Sequence, residues 1–299
     1  MSTILVSGSH GLIGSALVRH LLAAGEMVVP LTRPGVAPAA GGVVWDPEAD
    51  RIDTPRLDGI DAVVHLAGEN IAARRWTAER KNRIRRSRIK GTAILARALA
   101  SIPRPPRVLV CASAVGYYGD RGDEVLYEVS GPGTGFLADL CREWEAAASP
   151  ARAAGIRVVH LRTGTVLSLD GGMLPRVLPL FRLGLGGVIG SGRQYMSWIT
   201  LADAVAAIRH LLTHGESAGP VNLVAPNPVT NREFTRALGR AVRRLTAFPV
   251  PAALLRLAFG GLADEGLLAS ARVMPGRLIE SGYTFRFPDL ETALGALLK

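Results

Sequence analysis

The chain has 299 residues, 48% hydrophobic and 20% charged, and a chain of this length buries roughly three quarters of its unfolded surface, so no metal or disulfide is needed to hold a core. Its two cysteines, Cys111 and Cys141, fall in an apolar run and a helical pattern; they read as buried thiols and speak against a secreted disulfide framework. The net charge of +10 is uneven, with nine bases from Arg74 to Lys90 against Glu79 alone, but the basic residues are almost all arginine and the excess by itself argues for no nucleic-acid partner.

Along the first 160 residues, short β-branched runs alternate with helical patterns. Strands are predicted at Thr3–Ser7, Met27–Leu31, Val43–Trp45, Ala62–Leu66, Val108–Ser113 and Arg157–Leu161. Helices are predicted at Leu12–Ala24, Thr77–Ala100 and Gly135–Ala154. The strands are continuous apolar runs, as expected where helices cover both faces of a parallel sheet, so the fold class is α/β, doubly wound and Rossmann-type. After Leu161 come Gly-rich loops around a helix at Leu174–Arg182, a helix at Leu201–Thr213, a strand at Val221–Val224 and a helix from Thr230. The Pro249-Val250-Pro251 break opens a compact helical tail, which sets a large domain at 1–245 and a small one at 246–299. No apolar run approaches the roughly 18 residues of a membrane span, and no leader pattern precedes the first strand. The expectation is a cytoplasmic protein with no membrane contact.

The first strand runs straight into Gly8-Ser9-His10-Gly11-Leu12-Ile13-Gly14 and then a helix. Gly8 permits the tight turn, Gly11 lets a pyrophosphate approach the backbone, and Gly14 lets helix and strand pack closely. Free amides at the helix start would meet the anion. At the end of the second strand stands Thr32-Arg33, where an NAD-specific site carries an acid; no acid occurs between Glu26 and Asp46. Arg33 therefore predicts a 2′-phosphate and the cofactor NADP(H).

With those residues placed, the chain resembles the extended short-chain dehydrogenase/reductase superfamily, and within it the atypical NAD-dependent epimerase/dehydratase-like "epimerase family" with a small C-terminal domain of unknown function. The resemblance is carried nearly end to end by His65-Leu66-Ala67-Gly68-Glu69-Asn70-Ile71, Arg75-Trp76-Thr77, Ser87-Arg88-Ile89, Ser113-Ala114-Val115-Gly116-Tyr117-Tyr118-Gly119, Trp144-Glu145, Arg162-Thr163-Gly164-Thr165-Val166-Leu167 and the tail through Arg272-Val273-Met274-Pro275. It implies cofactor contacts from Thr32 and Arg33, from Leu66, Ala67, Gly68 and Glu69 in one loop, from Arg88 on the basic helix, and from Val166.

Members of the superfamily typically use Ser, Tyr and Lys, the last two four residues apart on one helix. Here those slots fall near Phe136 and Leu140, and the three lysines, Lys81, Lys90 and Lys299, lie elsewhere. Ser113 survives, with Tyr117 and Tyr118 just beyond it. Ser113 and Tyr117 are thus the catalytic candidates, with Arg121 or the nicotinamide as the cation that would make a tyrosine useful. His10 and His65 read as structural, and no metal-ligand spacing occurs. Three functions remain open: an NADP(H)-dependent oxidoreductase or epimerase on a small polar or nucleotide-linked substrate, a non-catalytic cofactor-binding regulator related to cell division, and a nucleic-acid binder. The last is disfavoured, because Trp76 is the only aromatic within the basic stripe.

Overall fold

The structure, a computed structural model, describes residues 1–35, 42–73, 75–214 and 217–299. Its centre is an eight-stranded sheet in the order Gly219–Leu223, Arg157–Thr163, Val108–Ala114, Ala62–His65, Thr3–Ser7, Met27–Thr32, Val43–Asp46, Arg51–Ile52. All neighbours are parallel except the last pair. The chain runs from the first strand outward to one edge, then returns past it to build the other half. The reversal beside Thr3–Ser7 opens a crevice at the carboxyl ends of the strands.

Alternate residues of each strand feed opposite cores. Ile4, Val6, Val64, Val110 and Leu161 pack with Leu17 and Leu21 of helix Leu12–Ala23 and with Ile208 and Leu211 of helix Leu201–Thr213. Leu5, Val63, Leu109 and Val158 face Leu95 and Leu99 of helix Ala78–Ser101. The predicted strands and helices stand with ends moved by one or two residues. The exception is Gly135–Ala154, which divides at Ala147–Ala148 into Phe136–Ala146 and Ser149–Ala153; Pro150 sits in the first turn of the second helix, where it cannot donate back to the Ala146 carbonyl. Seven two- or three-residue strands among the described residues were not predicted; Thr165–Leu167, for instance, pairs with Trp198–Thr200 and fixes the loop that carries Val166. Cys111 and Cys141 are free and buried, and burial pushes their thiols up to about 12 and about 11.

The C-terminal segment contributes helices Ala252–Phe259, Gly276–Glu280 and Leu290–Leu297. It is tied back by strand Arg272–Val273 on Val125–Leu126 and by the buried Asp203 carboxylate, which accepts from the amides of Arg286 (2.7 Å) and Phe287 (3.0 Å).

Candidate cofactor and active site

Gly8 takes a left-handed φ of +70°, and a Cβ there would fall 2.9 Å from the Ala67 nitrogen. A Cβ on Gly14 would fall 2.1 Å from the Gly8 carbonyl oxygen, so the helix can approach the strand only without one. At Gly11 a Cβ would meet only that same oxygen, at 3.3 Å. Space therefore remains on its outer side for a ligand. Gly11 caps helix Leu12–Ala23 with no side-chain cap and no acid in the first turn, so the first-turn amides are left for an anion.

The loop is braced from below. Ser7 Oγ accepts from the amides of Leu66 (3.1 Å) and Ala67 (3.3 Å), which leaves its own proton to donate to His65 Nδ1, 2.7 Å away. The His65 proton then sits on Nε2, which has no partner among the described residues. Burial pushes His65 down to about 4, so it is a neutral structural wedge against Trp45. His10, by contrast, is exposed at the loop tip.

A cavity of about 270 Å³ runs along this edge. Gly8, Gly11, Leu12, Ile13, Gly14 and Leu66 line one end; Ser113, Thr163 and Val166 line the other. A second cavity of about 370 Å³ is lined by Ser9, His10 and Thr32 over an apolar floor that includes Val18 and Val28. Thr32 is buried, yet its Oγ1 has no hydrogen-bond partner among the described residues. A buried hydroxyl without a partner costs free energy unless a ligand supplies one. Arg33, next to it, is exposed.

Arg88 points back from helix Ala78–Ser101 to the loop 66–69. It donates to the Glu69 carbonyl at 2.9 Å and stacks 4.9 Å over Trp144; Gly68 lies against it, a Cβ there falling 3.3 Å from Cζ. Burial pulls this guanidinium down to about 10, opposed by the nearby Cys141 and Glu69. It forms no ion pair among the described residues, because the Glu69 carboxylate is taken by Arg80 and Arg83. The rest of the basic stripe is largely neutralised: Lys81 faces Glu265, Arg85 pairs with Glu143, and Arg86 pairs with Glu48. Arg74 lies outside the described residues.

At the chemical end, the Ser113 hydroxyl donates to Glu145 Oε1 at 2.8 Å. Arg162 grips the same carboxylate through Nε (2.9 Å) and Nη2 (3.0 Å), and donates through Nη1 to the Tyr118 hydroxyl at 3.0 Å. Burial would lower the Arg162 guanidinium, but the Glu145 bonds and charge outweigh it and hold it above its ordinary value. The two tyrosines divide. Tyr118 is fully buried, and its hydroxyl donates toward Asn222 Oδ1 (2.7 Å) and the Tyr127 carbonyl (3.1 Å). Burial raises its pKa against the pull of Arg162. Tyr117 lies flat on Arg162, its ring centroid 3.4 Å from Cζ, and its hydroxyl has no partner among the described residues.

This corrects one expectation: Arg121 is engaged with Glu124, and the cation beside Tyr117 is Arg162. Phe136 and Leu140 lie one turn apart on helix Phe136–Ala146, and Leu140 is buried. Phe136 packs edge-on to Trp76 at 5.2 Å beneath the Lys81 ammonium at 4.9 Å. Sequence reasoning assigns no role to Glu145 or Arg162, which the fold joins at the site. A charged Arg162 directly after the largely apolar run Val158–Leu161, and a polar Asn222 between Val221 and Leu223, are the available signals.

Doubly wound topology, a glycine loop at the reversal and a polar cluster at the same carboxyl edge define a dinucleotide-binding protein of the short-chain dehydrogenase/reductase type. The chain belongs to the NAD dependent epimerase/dehydratase family, which it matches over residues 4–224; residues 250–297 match a domain of unknown function, DUF1731. It is 48% identical to an epimerase family protein of Mycobacterium bovis, over 98% of this chain and 97% of that one. It resembles the crystal structure of human epimerase family protein SDR39U1 with NADPH at a TM-score of 0.91 and 36% identity, covering 99% of both chains. A nucleoside-diphosphate sugar epimerase from Corynebacterium glutamicum gives a TM-score of 0.83 and 38% identity over 99% of this chain and 58% of that one.

Proposed function

We propose that this chain binds NADP(H) along the carboxyl edge of its sheet and acts as an oxidoreductase or epimerase on a small polar or nucleotide-linked substrate. The observation that carries the reading is the single cavity joining the glycine loop to Ser113, Thr163 and Val166, with the partnerless Thr32 hydroxyl beside Arg33 at the loop's other flank. Backbone amides of the first helical turn would hold the pyrophosphate, Thr32 and Arg33 the 2′-phosphate, and Arg88 would bring a half-buried charge without an ion-pair partner among the described residues to loop 66–69. The human relative with NADPH supports the same choice of cofactor. When bound, the cofactor supplies hydride transfer at its nicotinamide ring.

The protein's own part is to orient the substrate and move one proton. Ser113 has committed its proton to Glu145, so it offers lone pairs to the cavity and accepts from a substrate hydroxyl. Tyr117 has a free hydroxyl and a cation against its ring, the two properties a proton donor needs here. The C-terminal unit, residues 246–299, would close the substrate side; its Glu265 accepts from the Leu137 amide at 2.7 Å. A second reading, a cofactor-sensing regulator without turnover, is favoured by one observation: Phe136, which the family resemblance aligns with the usual catalytic tyrosine, is an apolar ring packed edge-on to Trp76. A screen of NADPH oxidation and NADP⁺ reduction over carbonyl and sugar-nucleotide libraries tests the choice. Turnover lost in Tyr117→Phe supports the enzyme, and saturable NADPH binding with no turnover supports the regulator.

A further inference from the structure

Two adjoining segments expose large apolar side chains that the fold does not use. Leu183 is 73% exposed and Leu185 54%; across from them, Leu245 is 85% and Phe248 61% exposed. Hydrogen bonds hold the segments together: the Arg244 side chain donates through Nε to the Arg182 carbonyl (2.9 Å), and the Val250 amide donates to the Val188 carbonyl (2.8 Å). The chain then enters helix Ala252–Phe259, which buries Leu255 but leaves Leu254 57% and Leu257 70% exposed. A surface helix of a water-soluble fold turns its leucines inward. This one keeps most of them out.

Charge selects the occupant. Residues 234–263 contain five arginines and no Asp or Glu. Arg240 and Arg256 are paired with Glu291 and Asp264. Arg182, Arg243 and Arg244, which flank Leu183 and Leu245, have no carboxylate within ion-pair distance among the described residues. A second copy docked face to face would bring arginine against arginine, a costly juxtaposition. An anionic bilayer answers both features: leucine and phenylalanine enter the boundary between headgroups and acyl chains, while arginines stay level with the phosphates.

We propose that the face formed by residues 182–185 and 243–257 docks the protein peripherally on an anionic lipid surface. No described helix is long and apolar enough to cross a membrane, and the lack of a spanning run in the sequence bears only on crossing. A peripheral face lies outside its reach.

The test is co-sedimentation of the full chain with vesicles of mixed phosphatidylglycerol and phosphatidylcholine, against phosphatidylcholine alone, at low and physiological salt. The mixed vesicles should bind at least about tenfold more tightly, with binding that weakens as salt rises. Leu245→Gln with Leu257→Gln, both at exposed positions, should cost about tenfold or more. Arg243→Ser with Arg244→Ser should cost a similar factor and flatten the salt dependence. NADPH affinity should not change in either double variant. Equal partitioning to neutral vesicles, or no partitioning at low salt, overturns the proposal. So does anionic binding that survives the leucine substitutions, which would be charge alone. A concentration-dependent dimer abolished by those substitutions would instead make this face a contact between copies.

Discussion

The Arg162 guanidinium lies 3.4 Å from the centre of the Tyr117 ring and is locked there by both oxygens of Glu145. A lysine four residues along a helix normally brings the cation to a catalytic tyrosine; here it comes from the end of a sheet strand. If Tyr117 carries the proton, Tyr117→Phe should lower turnover roughly 10²- to 10⁴-fold and leave NADPH affinity within about twofold. Steady-state kinetics beside calorimetry check this. An unchanged rate on a verified substrate would move the proton elsewhere.

Tyr118→Phe should behave differently. It strips the hydroxyl from a fully buried site, leaving Asn222 and Arg162 each short of a bond. The expected loss is roughly 1–3 kcal/mol of stability, read by chemical denaturation. Arg162→Met should cost more, roughly 3–5 kcal/mol, because it leaves the largely buried Glu145 carboxylate without its cationic partner. Full stability in Arg162→Met would show the pair to be dispensable.

Glycines of the loop should separate binding from folding. Gly14→Ala forces a Cβ to within 2.1 Å of the Gly8 carbonyl and should destabilise the fold. Gly11→Val has only a 3.3 Å neighbour to displace and should fold, but without binding NADPH. Circular dichroism melting paired with calorimetry distinguishes the two; a folded Gly11→Val that still binds would mean the pyrophosphate lies elsewhere.

Two buried histidines predict the acid limb. Burial lowers both His65 and His160 to about 4 from an ordinary 6.5, with Glu145 partly opposing it at His160. A histidine held neutral in the fold binds its proton first in the unfolded chain. Stability should therefore be full above pH 6.5 and fall between about 6.5 and 4, by roughly 3 kcal/mol for each ring. Thermal melts across that range, with His65→Asn and His160→Gln as controls, test the sign. Melting temperatures flat down to pH 4 would contradict it.

Much of this was legible in the sequence, for physical reasons. Apolar strands such as Val108–Val110 and the glycine spacing at Gly8, Gly11 and Gly14 are local signals, and they placed the sheet and the loop. Side-chain pairings across long separations were not legible. Sequence offers Arg121 as the cation nearest Tyr117, while the fold brings Arg162 from 45 residues away. The basic stripe likewise looked like free charge, because Glu48, Glu143 and Glu265, which meet it, lie on other elements.

The central claim, an NADP(H) site anchored by Thr32 and Arg33, is tested most directly by calorimetric titration of the unmodified protein and of Arg33→Asp with NADPH and NADH. The unmodified protein should prefer NADPH. The substitution removes a charge-assisted contact of roughly 1.5–3 kcal/mol, so NADPH affinity should fall about tenfold to a hundredfold or more. NADH affinity should stay nearly constant. Equal affinity for the two cofactors in the unmodified protein, or an Arg33→Asp variant that still prefers NADPH, would contradict the account.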